Sequence, residues 1–122
     1  MISIKCISVF SSKTDTYPLI VRVLDKFVLK LVGLLFTDSS ATPVLLVGCS
    51  SIHTWFMTYP IDVAFIDVKG HVILSKRRIV PFRKVSVPGT YFVLERPSSM
   101  HERWYEVGDR VKFARCGDMV RC

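Results

Sequence analysis

Apolar and polar positions alternate with a period of two in short runs, and polar or Gly/Pro-containing breaks divide the runs. That is the signature of half-buried strands. Ile2, Ile4 and Cys6 against Ser3 and Lys5 predict a first strand over residues 1–10. After a polar loop at 11–16, the β-branched stretch 19–24 predicts a second. Asp25 is placed to cap a short helix over 26–35, with Phe27, Leu31 and Leu34 spaced for one buried face. The Ser- and Pro-containing stretch 37–43 reads as a loop, and Val44 to Val47 as a short buried strand. The clearest signal follows. Ile61, Val63 and Phe65 alternate with Asp62, Ala64 and Ile66, residues 67–70 supply turn chemistry, and 71–75 resume the alternation, which predicts a β-hairpin. Residues 85–87 and 91–95 read as strands divided by Pro88-Gly89. Ser99 and Glu102 form a capping-box pattern for a short helix across His101, Trp104 and Tyr105. Gly108-Asp109 is a turn, and 111–114 a last strand. The expected fold is mainly β (β-rich α+β): a small barrel- or sandwich-like single domain over 1–122 with one or two short helices.

Composition narrows this picture. With 50% hydrophobic and 22% charged residues, the 122-residue chain is too apolar for intrinsic disorder. Its most apolar stretch, 17–36, is interrupted by Arg22, Asp25, Lys26 and Lys30, so no uncharged run of ~18 residues could span a membrane. Lys5 in the N-terminal stretch, with no small-residue cleavage pattern, argues against a secretory signal. Cys6, Cys49, Cys116 and Cys122 show no metal-type or redox-type spacing, which predicts reduced thiols, with Cys6 and Cys49 buried. A soluble, cytoplasmic protein is expected.

Charge is uneven. The chain carries 17 Lys+Arg against 10 Asp+Glu, a net +7. Between Val68 and Leu94 the basic residues are Lys69, Lys76, Arg77, Arg78, Arg83 and Lys84, and there is no acid. Lys76, Arg77, Arg78, Arg83 and Lys84 are the candidate contacts for an anionic partner, such as an acidic protein, a nucleic acid or a lipid. Phe82 is the only aromatic of that stretch before Tyr91, and no helix-turn-helix, zinc-finger or RNA-binding signature accompanies it. A solvated basic face that aids solubility is the plainer reading.

Several segments together resemble a known family. They are Lys30-Leu31-Val32-Gly33-Leu34-Leu35, then Cys49 to Met57 with His53 and Trp55, then Pro60-Ile61-Asp62-Val63-Ala64-Phe65-Ile66-Asp67. Gly70, Pro81-Phe82-Arg83, Val93-Leu94-Glu95 and Val107-Gly108-Asp109-Arg110-Val111 continue the series. In order and spacing these resemble the uncharacterised domain-of-unknown-function family 192, over about residues 20–114. The resemblance implies a compact β-rich fold and no established reaction. Two positions depart from it: Lys30 replaces the usual arginine, and Pro97-Ser98-Ser99 replaces a common glycine.

The polar residues of the central motifs admit three readings. In the first, His53, Thr54, Met57, Asp62 and Asp67 line a small ligand pocket or interaction surface around 49–62 of a non-enzymatic binding or accessory module. In the second, the chain is a small hydrolase-like enzyme: Asp62 orients His53 as a general base and Thr54 serves as nucleophile or substrate hydrogen-bond partner. No nucleophile elbow, zinc-binding or Ser-x-x-Lys motif supports that set. In the third, the side chains cap backbone amides at strand ends. Cys49, His53 and Met57 would share a face on a helix, yet Pro60 and the β-branched surroundings disfavour one. No metal and no cofactor is expected, and the balance of the motifs leans away from an enzyme.

Overall fold

Strand formation follows the period-two pattern closely, and long-range pairing then decides which face each residue occupies. The computed structural model describes residues 5–11, 19–24, 43–54, 57–98 and 103–115, of which 5–11, 19, 20, 22–24, 114 and 115 as backbone alone. Nine strands are present there: β1 (Lys5–Ser11), β2 (Leu19–Leu24), β3 (Val44–Val47), β4 (Ser51–His53), β5 (Ile61–Ile66), β6 (Val72–Ile79), β7 (Lys84–Ser86), β8 (Phe92–Pro97) and β9 (Val111–Arg115). Seven of them form one sheet in the order β6-β5-β8-β3-β2-β1-β9, and β4 and β7 form a separate two-stranded sheet. All ladders are antiparallel except β2–β3, which is parallel.

The mainly β expectation is met. The hairpin at 61–75 is β5–β6, although β6 runs on to Ile79 through Ser75-Lys76-Arg77-Arg78. The helix expected at 26–35 lies outside the described residues. Of the helix expected around 101–105, residues 103–106 are irregular chain, and there is no helix among the described residues. None is therefore long and apolar enough to cross a membrane.

Both faces of the large sheet are covered, which explains why every residue of β5 is buried. On one face Ile61, Val63 and Phe65 join Val44, Leu46 and Val93, and Ile52 of β4 with Met57, Tyr59 and Ile79 packs over them. On the other, Ala64 and Ile66 join Val21, Leu45, Leu94, Val72 and Val111 with Trp104 and Tyr105. This second cluster draws on six of the seven strands, so the sheet must curl around it. Among the described residues its edges, β6 and β9, are joined through the His71–Arg110 bridge. Three amide bonds frame that bridge: Val72 N to Asp109 O at 2.9 Å, Gly108 N to Val72 O at 3.0 Å, and Val111 N to Gly70 O at 2.7 Å. No ladder closes the sheet into a barrel among the described residues.

Gly70 makes that edge contact sterically feasible. Its φ is +93°, and a Cβ there would stand 2.7 Å from the Val111 carbonyl oxygen, which is backbone and cannot rotate away. Gly70→Ala is therefore expected to lose about 2 kcal/mol or more. Thermal denaturation should record this as a fall of roughly 4 °C per kcal/mol; an unchanged melting temperature would show that the edge contact is dispensable.

Candidate functional site

Asp62 is forced into the interior by its strand. Ile61 and Val63 must point into the first cluster, so alternation turns Asp62 to the other face, where it is fully buried. Its partner across the β5–β8 ladder is Arg96, whose Nε donates to Asp62 Oδ2 at 2.9 Å. Ser98 Oγ donates to Oδ1 at 2.8 Å, and the Arg78 amide donates to Oδ1 at 3.0 Å. Arg77 Nε approaches Oδ2 at 3.6 Å. The Arg78 amide needs such an acceptor. Ile61 pairs with Ile79 and Val63 with Lys76, which leaves one extra residue on β6, a bulge, and Arg78 sits there at φ +57°. Ser98, one of the residues departing from the family pattern, thus supplies a direct bond to the buried carboxylate.

Thr54 does for the next segment what Asp62 does for the bulge. It is almost wholly buried, its Oγ1 donates to the Val80 carbonyl at 2.7 Å, and it accepts from the Arg83 amide at 2.9 Å. Its own amide donates to Arg83 O at 2.8 Å, and its carbonyl accepts from the Phe82 amide at 3.0 Å. The corner 80–83 is bound on successive backbone groups by one residue. Phe82 there has φ +64°, a conformation that costs a non-glycine residue about 1–3 kcal/mol and persists where surrounding bonds hold it.

His53 and Asp62 stand on strands of different sheets. His53 is exposed on β4, opposite Lys84 of β7, and β4 covers the first-cluster face while Asp62 projects to the other. The Thr54 hydroxyl donates to the Val80 main-chain carbonyl. Met57 is buried in the first cluster. Asp67 belongs to the β5–β6 turn, accepting from the Lys69 and His71 amides at 2.9 Å each. The His71 amide holds its carboxyl below the usual range, and His71 Nδ1 lies 3.4 Å from Oδ2. Structure thus brings Asp62 and Thr54 together on one segment, 78–83, with His53 beside its end at Lys84, and places Asp67 in the β5–β6 turn. Cys49 is a free, half-buried thiol donating to Ser51 O at 3.0 Å, less enclosed than expected. The Cys49–Met57 stretch carries β4, so no helical face joins Cys49, His53 and Met57. Among the described residues no group of three or more His, Cys, Asp or Glu could hold a metal ion.

Lys76, Arg77, Arg78, Arg83 and Lys84 are all exposed. Arg77 also lines a cleft of about 450 Å³ with Ser75, Arg103, Trp104, Tyr105 and Glu106. Behind that cleft Arg96 lies 4.4 Å from the centre of the Trp104 ring, and Ser75 Oγ donates to Tyr105 O at 2.6 Å. Burial pushes the Tyr105 hydroxyl up, and the buried Trp104 Nε1 has no acceptor among the described residues.

Sequence reasoning gave no role to Arg96, Trp104 or Glu95. Arg96 was recoverable only through the β5–β8 register. Glu95 left a local signal, because alternation puts it on the face of Val93. It is 6% exposed, opposite Val44 and Val63, and burial raises its carboxyl from 4.5 to about 7.

Two consequences are measurable. A carboxyl raised on folding stabilises the fold fully below its unfolded value and loses that contribution as pH rises through the folded value. Stability should therefore fall by about 3 kcal/mol between pH 4.5 and about 7 on account of Glu95. Glu95→Gln should flatten that slope in denaturant titrations and be the more stable protein at pH 8; an unaltered slope would refute the assignment. Thr54→Val, which keeps shape but removes the hydroxyl, should cost about 1–3 kcal/mol, since the Arg83 amide loses its acceptor.

Comparison with known proteins agrees with this architecture. No curated protein matches the chain. A crystal structure of "a putative transcription regulator" from Sinorhizobium meliloti is similar, with a TM-score of 0.73 at 17% identity over 91% of this chain and 94% of that one. So is a protein of unknown function from Novosphingobium aromaticivorans, with a TM-score of 0.71 at 16% identity over 89% of this chain and 84% of that one. At such identities the likeness concerns the fold. The family profile of the uncharacterized ACR proteins, DUF192, matches residues 9–113, which extends the resemblance read from the motifs back into β1. The chain belongs to the DUF192 family.

Proposed function

We propose that this chain is a non-enzymatic binding module that recognises an anionic partner through Lys76, Arg77, Arg78, Arg83 and Lys84. The observation that carries the reading is the exposure of all five on a fixed corner of the fold. Asp62 holds the bulge at Arg78, and Thr54 holds the backbone at 80–83. Cations on an ordered backbone lose less freedom on binding than cations on a loose loop, so more of their attraction is retained. The acid-free stretch from Val68 to Leu94 keeps the local field of one sign, which speeds encounter with an anion.

On this reading the recognition surface moves from 49–62 to 76–84. Thr54, Met57 and Asp62 serve that surface from behind, as backbone acceptors and packing. The partner is defined by charge alone. The Sinorhizobium meliloti protein's description suggests nucleic acid, but its likeness to this chain is one of fold, and no base-reading motif accompanies the cations here.

Duplex DNA serves as a generic polyanion to test this. A Lys76→Gln/Arg83→Gln/Lys84→Gln variant spares Arg77 and Arg78, the two that approach Asp62. It should melt like the parent yet bind weakly, its slope of log K against log salt reduced by about three. Equal retention of parent and variant, or no binding by the parent at low ionic strength, would overturn the proposal.

A further inference from the structure

The corner that carries the cations ends in an apolar tip that the fold holds out in solvent. Val80 is 47% exposed and Phe82 68%, the latter among the most exposed large hydrophobic side chains described. Pro81 between them is half-buried. Phe82 occupies the left-handed region at φ +64°, where glycine would sit without strain, and four backbone groups of the corner are bonded to Thr54 to keep it there. An exposed aromatic held in an unfavourable backbone conformation marks a surface built for contact.

Chemistry around the tip identifies the contact. Arg78 precedes it, Arg83 and Lys84 follow it, Lys76 and Arg77 stand on the same strand end, and all five are exposed. A nucleic acid would use Phe82 as a stacking platform but would gain nothing from an aliphatic Val80. Stacking on single strands also relies on a succession of aromatics, whereas this stretch offers one before Tyr91. A bilayer surface uses both features together. Val80 and Phe82 lose water in the acyl boundary, while long cationic side chains remain among anionic headgroups at its edge.

Resting on the anionic-partner reading above, we infer that residues 80–82 form an insertion tip that docks this chain on a membrane surface bearing anionic phospholipid. Neither the tip nor the cations alone suffice for stable attachment, since one short apolar contact is marginal and surface charge is screened by salt.

Phe82→Gly tests this without risking the fold, because glycine suits the positive φ and the variant should melt no lower than the parent. Sedimentation with phosphatidylcholine vesicles containing phosphatidylserine should show the parent bound and the Phe82→Gly variant partitioning about tenfold less. The parent should be released from vesicles of phosphatidylcholine alone. Equal partitioning of parent and variant would overturn the tip while leaving the cationic surface intact. Binding to duplex DNA without binding to the mixed vesicles would do the same. If Phe82→Gly weakens a single-stranded oligonucleotide as much as vesicles, the tip is a stacking platform and the membrane assignment fails. Retention on neither polyanion nor vesicle would remove both readings at once.

Discussion

A single buried carboxylate organises this fold. Asp62 sits on a strand whose two neighbours in sequence, Ile61 and Val63, belong in the core on the opposite face. Alternation therefore carries a charge into the interior, where an unpaired carboxylate costs several kcal/mol. The sheet answers with Arg96 directly across the ladder, the Ser98 hydroxyl and the Arg78 amide. Each answer has a consequence elsewhere. Arg96 is drawn inside and lies against Trp104, which places the irregular segment at 103–106 on the second cluster. The Arg78 amide is free to donate to the carboxylate because β6 bulges there, while Ile79 beyond the bulge pairs with Ile61 again. Removing one member of such a pair strands the other, at about 3–5 kcal/mol.

The same interaction explains why the motif residues look catalytic in the sequence. A buried Asp with a nearby Thr and His has the composition of an acid–base site, and composition does not distinguish a carboxylate that orients a base from one that accepts backbone amides. Geometry does. Asp62 accepts from two arginine-borne groups and a serine, Thr54 spends its hydroxyl on the Val80 carbonyl, and both act on residues 78–83. Polar groups that look like chemistry are here the means of holding a strained, cation-rich corner in one conformation. On the proposed reading this links packing to recognition: rigidity behind the surface, charge and an apolar tip in front.

How much was legible follows from the range of the interactions involved. β2 and β3 were read at their observed bounds, because their runs are short, apolar and bounded by polar or Pro-containing breaks. The hairpin was legible through Asp67, whose carboxylate takes the amides of Lys69 and His71 within its own turn. Local signals failed where the stabilising partner is distant. The extension of β6 through Lys76-Arg77-Arg78 shows no alternation, since its support comes from β5 and from Asp62. β4 is three residues long and exists by pairing with β7, more than thirty positions away. Ser99 and Glu102 form a capping pattern, yet the following Trp104 and Tyr105 are taken by the second cluster as irregular chain, tertiary burial overriding local propensity.

Two adjacent rungs of the β5–β8 ladder show what separates a structural charge from a costly one. Asp62 faces Arg96 on one rung, and Val63 faces Glu95 on the next, so the two carboxyls occupy opposite faces of the same sheet. Face and partner decide their fates. Asp62 is met by a guanidinium, a hydroxyl and an amide, and its charge becomes the means of fixing the bulge. Glu95 projects among Val44, Val63 and their neighbours, and burial alone acts on it, raising it to about 7. A carboxyl so placed is tolerated because near neutrality it can bind a proton instead of holding a charge. Donors, not depth, therefore separate these two buried acids, and the corner that displays the cations depends on Asp62, the one of the pair that has them.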